Sequence, residues 1–494
     1  MNYRGDYIAK SFIQTENPDG HIHSVNPGDL DEVPITIPYS LQNLYNAVDA
    51  ARNAFSPWKS AGLQSRAHYL TLYQKELENR KEDIAFSISR EVGKPLWESR
   101  QEVAAMISKV TITLQQGLKL IEDLEVPDAA GTIPGHLTYK PHGVLAVIGP
   151  FNFPAHLPNG HIVPALITGN TVLFKPSELT PLTGQIIAEI MDAIDLPAGV
   201  FNMIQGGAQI GSALTAHEGV DGVLFTGSYN TGVKIKEACL HQPGKILALE
   251  MGGKNSSIVS ADADLDFAVH ECLFASYVTT AQRCSSTSRI ILHRDIADAF
   301  LDKFLSISKA LKIGYSQDDG VFMGPIINED SVKRFMDSQN MALTEGHDCL
   351  LQGKVLSLKR KGHYISPAVF LIKGWDYRTP YQSEEHFAPN IAIYIVDSIE
   401  EAIAISNAPD YRLVTSVFTS SETTFREVLN MSTSGLINWN KSTVGASSKL
   451  PFGGGGKSGN HFPTALFASY YCTYPVASLQ NRNPAAIKDF SLFS

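Results

Sequence analysis

From Gly143 to Ser260 the chain repeats one pattern about every 25 residues: a short apolar run, a Gly/Pro/Asn punctuation, then an amphipathic helical stretch. Few architectures accommodate it. Continuous Val/Ile/Leu/Phe runs are buried on both faces, which is the condition of strands in a parallel sheet covered by helices. The spacing predicts strands at Val144–Ile148, Thr171–Phe174, Val200–Ile204, Gly222–Phe225, Ile246–Leu249 and Ser257–Val259, all within one doubly wound α/β domain. Such sheets bind ligands beyond the carboxyl ends of their strands.

At 494 residues the chain exceeds what one core usually supports. Upstream, Leu41 to Leu124 is dense in helix formers, with apolar residues at helical spacing around Ala47, Ala51, Tyr69, Leu72 and Leu77. Breakers gather between Val126 and Lys140 (Pro127, Asp128, Gly131, Pro134, Gly135), which predicts a connection or an exposed hairpin. Downstream, a second α/β set is expected. Its helices are Asp264–Ser276, Ile296–Leu311, Ile399–Asn407 and Glu422–Asn430; its strands are Arg289–His293, Asn390–Val396, Val414–Phe418 and Gly435–Trp439. The stretch from Ala465 to Gln480, with Tyr470, Tyr471, Tyr474 and Val476, is too apolar to hang free and is expected to pair with another element or a second subunit.

The net charge of −10 is modest, and basic residues are interspersed with acidic ones, so nucleic acid is not an expected partner. No apolar run approaches the ~18 residues of a membrane span. The opening Met1–Asp6 lacks the apolar stretch of a signal peptide, so a cytoplasmic protein is expected. Five cysteines, an odd number without a C-x-x-C pair, fit neither a disulfide framework nor a zinc cluster. His156 with His161, and His21 with His23, lack the H-E-x-x-H pattern, so no metal is expected. Gly454–Gly459 formally satisfies G-x-G-x-x-G and Gly456-Lys457-Ser458 imitates a P-loop end. Pro451 occupies the position where a P-loop needs glycine, and His461-Phe462-Pro463 does not open a helix, so both matches are set aside.

The chemistry lies at the predicted strand ends, where four polar clusters face one crevice: Gly149–Pro154, Lys175–Glu178, Thr226–Gly232 and Glu250–Gly253. Any one of them reads equally well as ordinary loop chemistry. Gly227-Ser228-Tyr229-Asn230-Thr231-Gly232 stands between strand and helix, where free N–H groups favour a phosphate; a plain turn with a Ser or Thr cap is the even alternative. Lys175 and Glu178 suit ribose hydroxyls, and the Glu178 carboxylate would repel a 2′-phosphate, which favours NAD over NADP. Cys284 lies in a small, polar stretch beside Arg283, a cation able to lower a thiol pKa. Cys239 and Cys272 on predicted helices and Cys472 in the aromatic tail read as packing, and Cys349 as incidental.

In chain order, Gly149-Pro150-Phe151-Asn152-Phe153-Pro154, Lys175-Pro176-Ser177-Glu178, Phe225-Thr226-Gly227-Ser228, Leu249-Glu250-Met251-Gly252-Gly253-Lys254, Gln282-Arg283-Cys284, Glu384-Glu385-His386-Phe387-Ala388-Pro389 and Pro451-Phe452-Gly453-Gly454 resemble the aldehyde dehydrogenase superfamily over nearly the whole chain. The resemblance implies two doubly wound α/β domains plus a small oligomerisation β-arm. It divides the chain into a NAD-binding domain (1–125 and 141–250), a catalytic domain (251–440), and an arm and tail (126–140 and 465–494) in a homodimer or homotetramer. It makes Cys284 the nucleophile, Glu250 the base and Asn152 an oxyanion donor. Lys175 and Glu178 fall at the adenine ribose, Gly227, Ser228, Tyr229, Asn230, Thr231 and Gly232 at the pyrophosphate and its surroundings, and Glu385 and Phe387 at the nicotinamide ribose.

Further segments, His156–Ala165, Asn438–Lys441, Ser458–His461 and the tail around Tyr471-Cys472, resemble members of the family that oxidise a long acidic semialdehyde, N-succinylglutamate semialdehyde; succinate or glutamate semialdehyde are the alternatives. A catalytically silent binding or structural homologue is the alternative of another class. Helical spacing puts His156 and Gly160 one and two turns beyond Asn152, either as helix packing or as a wide polar approach to Cys284 that Lys441 and His461 help to line. Two departures stand out. Ala281 and Ala388 replace family glycines, where a positive φ would be strained.

Overall fold

Two parallel-based sheets carry the core of the computed structural model, which describes residues 3–482 and residue 484. The first runs in the order Ile246–Glu250, Gly222–Thr226, Val144–Ile148, Thr171–Lys175, Phe201–Met203, Asp6–Ile8, Ser11–Ile13. Its first five strands are parallel; the last two add an antiparallel hairpin at the edge. Strand order reverses between Val144–Ile148 and Gly222–Thr226, and a crevice opens beyond the strand ends at such a reversal.

Helices Leu41–Ser60, Gly62–Asn79, Lys81–Val92 and Leu96–Gln115 supply the expected N-terminal bundle. Ser40 caps the first, its side chain accepting from the Gln42 N–H, and the buried stripe Leu44, Ala47, Val48, Ala51, Ala54 and Trp58 follows the helical repeat onto the sheet. The second sheet runs Asp348–Leu351, Ala368–Leu371, Asn390–Val396, Thr287–His293, Asn255–Val259, Val414–Phe418, Leu436–Trp439, antiparallel only at its first pair.

One expectation is corrected. The strand at Ser257–Val259 does not join the first sheet; Asn255–Val259 lies between Thr287–His293 and Val414–Phe418 in the second. The reason is reach: only Met251 to Lys254 separate it from Glu250, and a parallel return to the same sheet needs a crossover of about a dozen residues. The three-residue strands Asp6–Ile8 and Ser11–Ile13 escaped prediction because so short a run carries no period, as did Gly20–Ser24 and Ile35–Tyr39. Helix Glu329–Thr344 also went unread. Its signals were present: Asn328 caps the Ser331 N–H, and Glu329 and Asp330 fill the first turn.

The breaker-rich stretch forms a hairpin, Leu124–Ala130 with Ile133–Pro141, and Thr473–Leu479 adds to it antiparallel from Thr473↔Pro141 to Leu479↔Gly135. Residues 483 and 485–494 of the proposed tail lie outside the described residues. Among the described residues no helix is long and apolar enough to cross a membrane.

The entry to the central strand is locked by a backbone that tolerates no side chain. Gly143 has φ +143°, and a Cβ there would lie 1.9 Å from the Asp221 carboxylate. That carboxylate accepts from the Val144 N–H at 2.7 Å and pairs with Arg52 at 2.8 Å. Gly143→Ala should therefore destabilise by on the order of 2–4 kcal/mol and lower the apparent Tm by roughly 2–4 °C, read by thermal scanning. Gly244→Ala, where a Cβ meets nothing within 4 Å, should leave the Tm unchanged.

Candidate active site

Two loops from different sheets meet through one hydrogen bond. Beyond Val144–Ile148 the chain turns through Gly149–Pro154 into helix His156–Ile167, and the buried Asn152 donates from Nδ2 to the Gln282 carbonyl at 2.8 Å. Gln282 belongs to the loop that carries Cys284. That loop leaves helix Leu265–Tyr277 through Thr279, Thr280 and Ala281, all left-handed at φ 59°, 54° and 57°. Each such non-glycine residue costs on the order of 1 kcal/mol or more, so the turn persists only because its surroundings hold it. Ala281 occupies the positive φ that a glycine would take without strain. Ala388 does not: the left-handed residue there is its neighbour Phe387, at φ 52°.

The first strand of the second sheet grips the same loop. Asn255 Nδ2 donates to the Cys284 carbonyl at 2.7 Å and to the Ser286 carbonyl at 2.9 Å. The Cys284 carbonyl would lie 2.2 Å from a Cβ on Gly253, so only glycine permits the approach.

Glu250 ends strand Ile246–Glu250, the last of the first sheet in chain order; it is buried, with Oε2 lacking a hydrogen-bond partner among the described residues and Oε1 2.7 Å from where a Gly453 Cβ would stand. Burial raises its pKa well above the usual carboxylate range. Cys284 departs from expectation. Burial, then the Glu385 and Glu250 carboxylates, push its thiol up to about 12, although Arg283 opposes the shift. The Arg283 guanidinium is bound to Glu98 at 2.9 Å, so its charge is largely spent there. The resting sulfur is a thiol. Glu385 accepts from the Gly253 N–H at 2.8 Å, and burial pushes its carboxyl up to about 7.

On the crevice side, Lys175 is buried. Its Nζ donates to the Pro176 carbonyl at 2.8 Å and lies 3.6 Å from the half-exposed Glu178 carboxylate, which leaves donors free. Ser228 caps helix Tyr229–Ala238 by accepting from the Thr231 N–H, so its hydroxyl serves the turn; Asn230 and Thr231 stay exposed. Gly227 and Gly232 are held against Phe225 and Met251, where a Cβ would come within 2.4 Å. This helix N-terminus with its bare backbone, and the buried Lys175 ammonium two strands away at the same end of the sheet, fit a dinucleotide phosphate and ribose. Phe387 meets Phe151 edge to face at 6.0 Å, closing the crevice near Cys284.

Gly160 is buried, yet a Cβ built on it meets no atom within 4 Å, so close packing does not explain the glycine. His156 Nδ1 is buried without a partner, and burial with the Lys109 and Lys94 charges lowers its pKa to about 4. It is an uncharged imidazole, not a cation for a carboxylate. Lys441 and His461 are exposed, and among the described residues no hydrogen bond or ion pair joins either to His156.

Some residues of the site escaped the sequence reading. His161, set aside there, lies 2.7 Å from the Tyr471 hydroxyl and 3.3 Å from Thr226, which pairs in register with Glu250. Glu98, Glu102 and Lys94 were also passed over. The signal of the two glutamates was carboxylates on the buried face of helix Leu96–Gln115, in line with Val103 and Met106; Lys94 lies just before that helix. Among the described residues no cluster of metal-ligating side chains forms.

The profile described as "Aldehyde dehydrogenase family" matches residues 12–472. The chain is 40% identical over 441 residues, 88% of each protein, to N-succinylglutamate 5-semialdehyde dehydrogenase of Serratia proteamaculans (strain 568). Among solved structures it is similar to the NAD-dependent aldehyde dehydrogenase from Sinorhizobium meliloti, at 28% identity and a TM-score of 0.92, covering 98% of this chain and 96% of that one. It is also similar to betaine aldehyde dehydrogenase from Staphylococcus aureus in complex with NAD+, at 27% identity and a TM-score of 0.92, covering 99% and 96%.

The Glu385 shift has a stability consequence. Its folded value of about 7 exceeds the unfolded value near 4.5, so the folded chain holds the extra proton between them. This contribution is fully present below about 4.5 and is lost as pH rises through about 7. Glu385→Gln, which keeps an acceptor for Gly253, should gain Tm relative to the wild type at pH 8 and not at pH 4.5, in scans of the ligand-free protein.

Proposed function

The chain belongs to the aldehyde dehydrogenase family, and on that premise we propose that it oxidises N-succinyl-L-glutamate 5-semialdehyde to N-succinyl-L-glutamate with NAD through a thioester on Cys284. The observation that carries the mechanism is the Asn152–Gln282 hydrogen bond, which brings a buried amide to the cysteine loop. The half-buried Cys284 thiol first gives up its proton to solvent water; as the thiolate sulfur then bonds the aldehyde carbon, the carbonyl electron pair moves onto oxygen. The second N–H of Asn152 Nδ2 and the Cys284 backbone N–H stabilise that oxyanion. Bound NAD would supply the acceptor for the hydride that leaves the thiohemiacetal carbon, so that a thioester remains. Glu250, in its ionised form and with Oε2 unpartnered among the described residues, takes a proton from the water that attacks the thioester; the C–S bond breaks, the leaving sulfur takes up that proton and the thiol is restored.

Lys175 and Glu178 would hold the adenine ribose, the loop Gly227–Gly232 the pyrophosphate, and Glu385 with Phe387 the nicotinamide end. Glu178 supports NAD over NADP, because its carboxylate would face the added phosphate. The substrate reading rests on the space at Gly160, the neutral His156 and Lys109. This buried ammonium is bonded to the Ala465 carbonyl, has no carboxylate partner among the described residues, and biases the region toward an anion. The named activity of the Serratia relative agrees with that reading. The hairpin sheet, with Leu124, Val126 and Leu479 exposed, would serve a homodimer or homotetramer. We place the enzyme in the cytoplasm, where a reducing pool would keep Cys284 as a free thiol.

Cys284→Ala should form no NADH with any aldehyde. Glu250→Gln should release one equivalent of NADH in a burst and then turn over ~10²–10⁴-fold more slowly, by stopped-flow absorbance at about 340 nm. A wild-type rate in Cys284→Ala would exclude the mechanism.

Gly160→Trp should cut kcat/KM for N-succinylglutamate semialdehyde at least ~10-fold more than for propanal, because the indole fills the open space beside His156. Equal proportional losses would assign Gly160 to the fold. Wild-type kcat/KM values for succinate and glutamate semialdehydes that exceed the long substrate's would reverse the substrate choice.

A further inference from the structure

Helix Leu96–Gln115 lies behind both loops of the site and presents two carboxylates one turn apart, Glu98 and Glu102, each almost fully buried. Glu102 reaches the Asn152 side. Its Oε1 accepts from the Ala155 N–H at 3.0 Å and the His156 N–H at 3.1 Å, and its Oε2 accepts from Lys94 Nζ at 2.6 Å. Helix His156–Ile167 has no capping side chain of its own, so Glu102 supplies its anionic cap from another element.

Glu98 reaches the Cys284 side. It accepts from both the backbone N–H and the hydroxyl of Thr279, and from Arg283 at 2.9 Å. Thr279 begins the left-handed run that precedes Cys284, and Arg283 Nε also donates to its hydroxyl, at 2.6 Å. The strained turn is thus held at its first residue. Phe153 meets both cations, with the Lys94 ammonium 3.4 Å and the Arg283 guanidinium 4.9 Å from its ring centre. Two cations and two anions balance there, all but Arg283 almost fully buried.

We infer that Glu98 and Glu102 are positioning residues: a single rigid helix, through one carboxylate per loop, sets the separation of Asn152 from Cys284. Neither touches a reacting atom. The inference rests on the roles proposed for those two residues. A displacement of about 1 Å between nucleophile and oxyanion donor is enough to lower a rate ~10²-fold, which is why a remote anchor has catalytic weight. The two anchors differ in what they hold, and that difference separates positioning from general packing. Alkylation of Cys284 needs its sulfur in place and needs no oxyanion donor.

The test compares Glu98→Gln, Glu102→Gln, Cys284→Ala and the wild type as full-length protein. It measures hydride transfer at saturating NAD and N-succinylglutamate semialdehyde, alkylation of Cys284 by iodoacetamide, and NAD affinity by fluorescence titration. Both glutamine variants should lose ~10–100-fold in hydride transfer with NAD affinity within about two-fold of wild type. Glu102→Gln should alkylate within about two-fold of wild type, whereas Glu98→Gln should differ by more than about five-fold. Should Glu102→Gln not fold, Lys94→Met/Glu102→Gln, which removes cation and anion together, replaces it with the same expected outcomes. Wild-type hydride transfer in both variants would overturn the inference. So would a common loss of hydride transfer, alkylation and NAD binding in both, which marks general loosening. Activity in Cys284→Ala would instead sink the proposed mechanism itself.

Discussion

Met251-Gly252-Gly253-Lys254 is all the chain that joins the last strand of one sheet to the first-made strand of the other, and it is too short for a helical crossover. Glu250 and Asn255 are therefore held a few residues apart at the seam between the sheets. Asn255 binds the Cys284 and Ser286 carbonyls and accepts from the Val414 N–H, so the cysteine loop is fastened to the same seam. The glycines are part of the constraint. Gly253 admits the Cys284 carbonyl, and Gly252 lies against the Glu385 carboxylate, where a Cβ would come within 2.0 Å of Oε2. Glu250, the Cys284 loop and the Glu385 carboxylate converge because the linker leaves them nowhere else to go.

Convergence creates an electrostatic problem, since buried charges need partners. The structure meets it in two ways. Lys94, Glu98, Glu102 and Arg283 pair among themselves behind the site. Glu250, Glu385 and the Cys284 thiol are shifted toward their neutral forms instead. The neighbouring cation does not make a standing thiolate, so deprotonation belongs to the reaction and not to the resting state.

The parallel strands were legible because burial on both faces leaves an unbroken apolar run, and Val144–Ile148 and, after its first residue, Asn390–Val396 both carry one. The strand-end clusters were legible for the same reason: polar residues at fixed places after such runs. Sheet membership was not, because Ser257–Val259 has the same composition in either sheet and only the length of the linker decides. Glu98 and Glu102 showed only as carboxylates on a buried helix face; that they bind Thr279 and Ala155, 181 and 53 residues away, leaves no local trace. Gly160 was legible as an oddity and became informative only with its surroundings, where the absence of any close atom separates open space from tight packing.

The central claim is that a covalent acyl group forms on Cys284. Glu250→Gln protein mixed with NAD and N-succinylglutamate semialdehyde, acid-quenched within the NADH burst, digested and examined by mass spectrometry, tests it most directly. An N-succinylglutamyl thioester on the peptide that carries Cys284, in an amount equal to the burst, is the expected result. NADH formed without that adduct, or an adduct on another residue, would contradict the account.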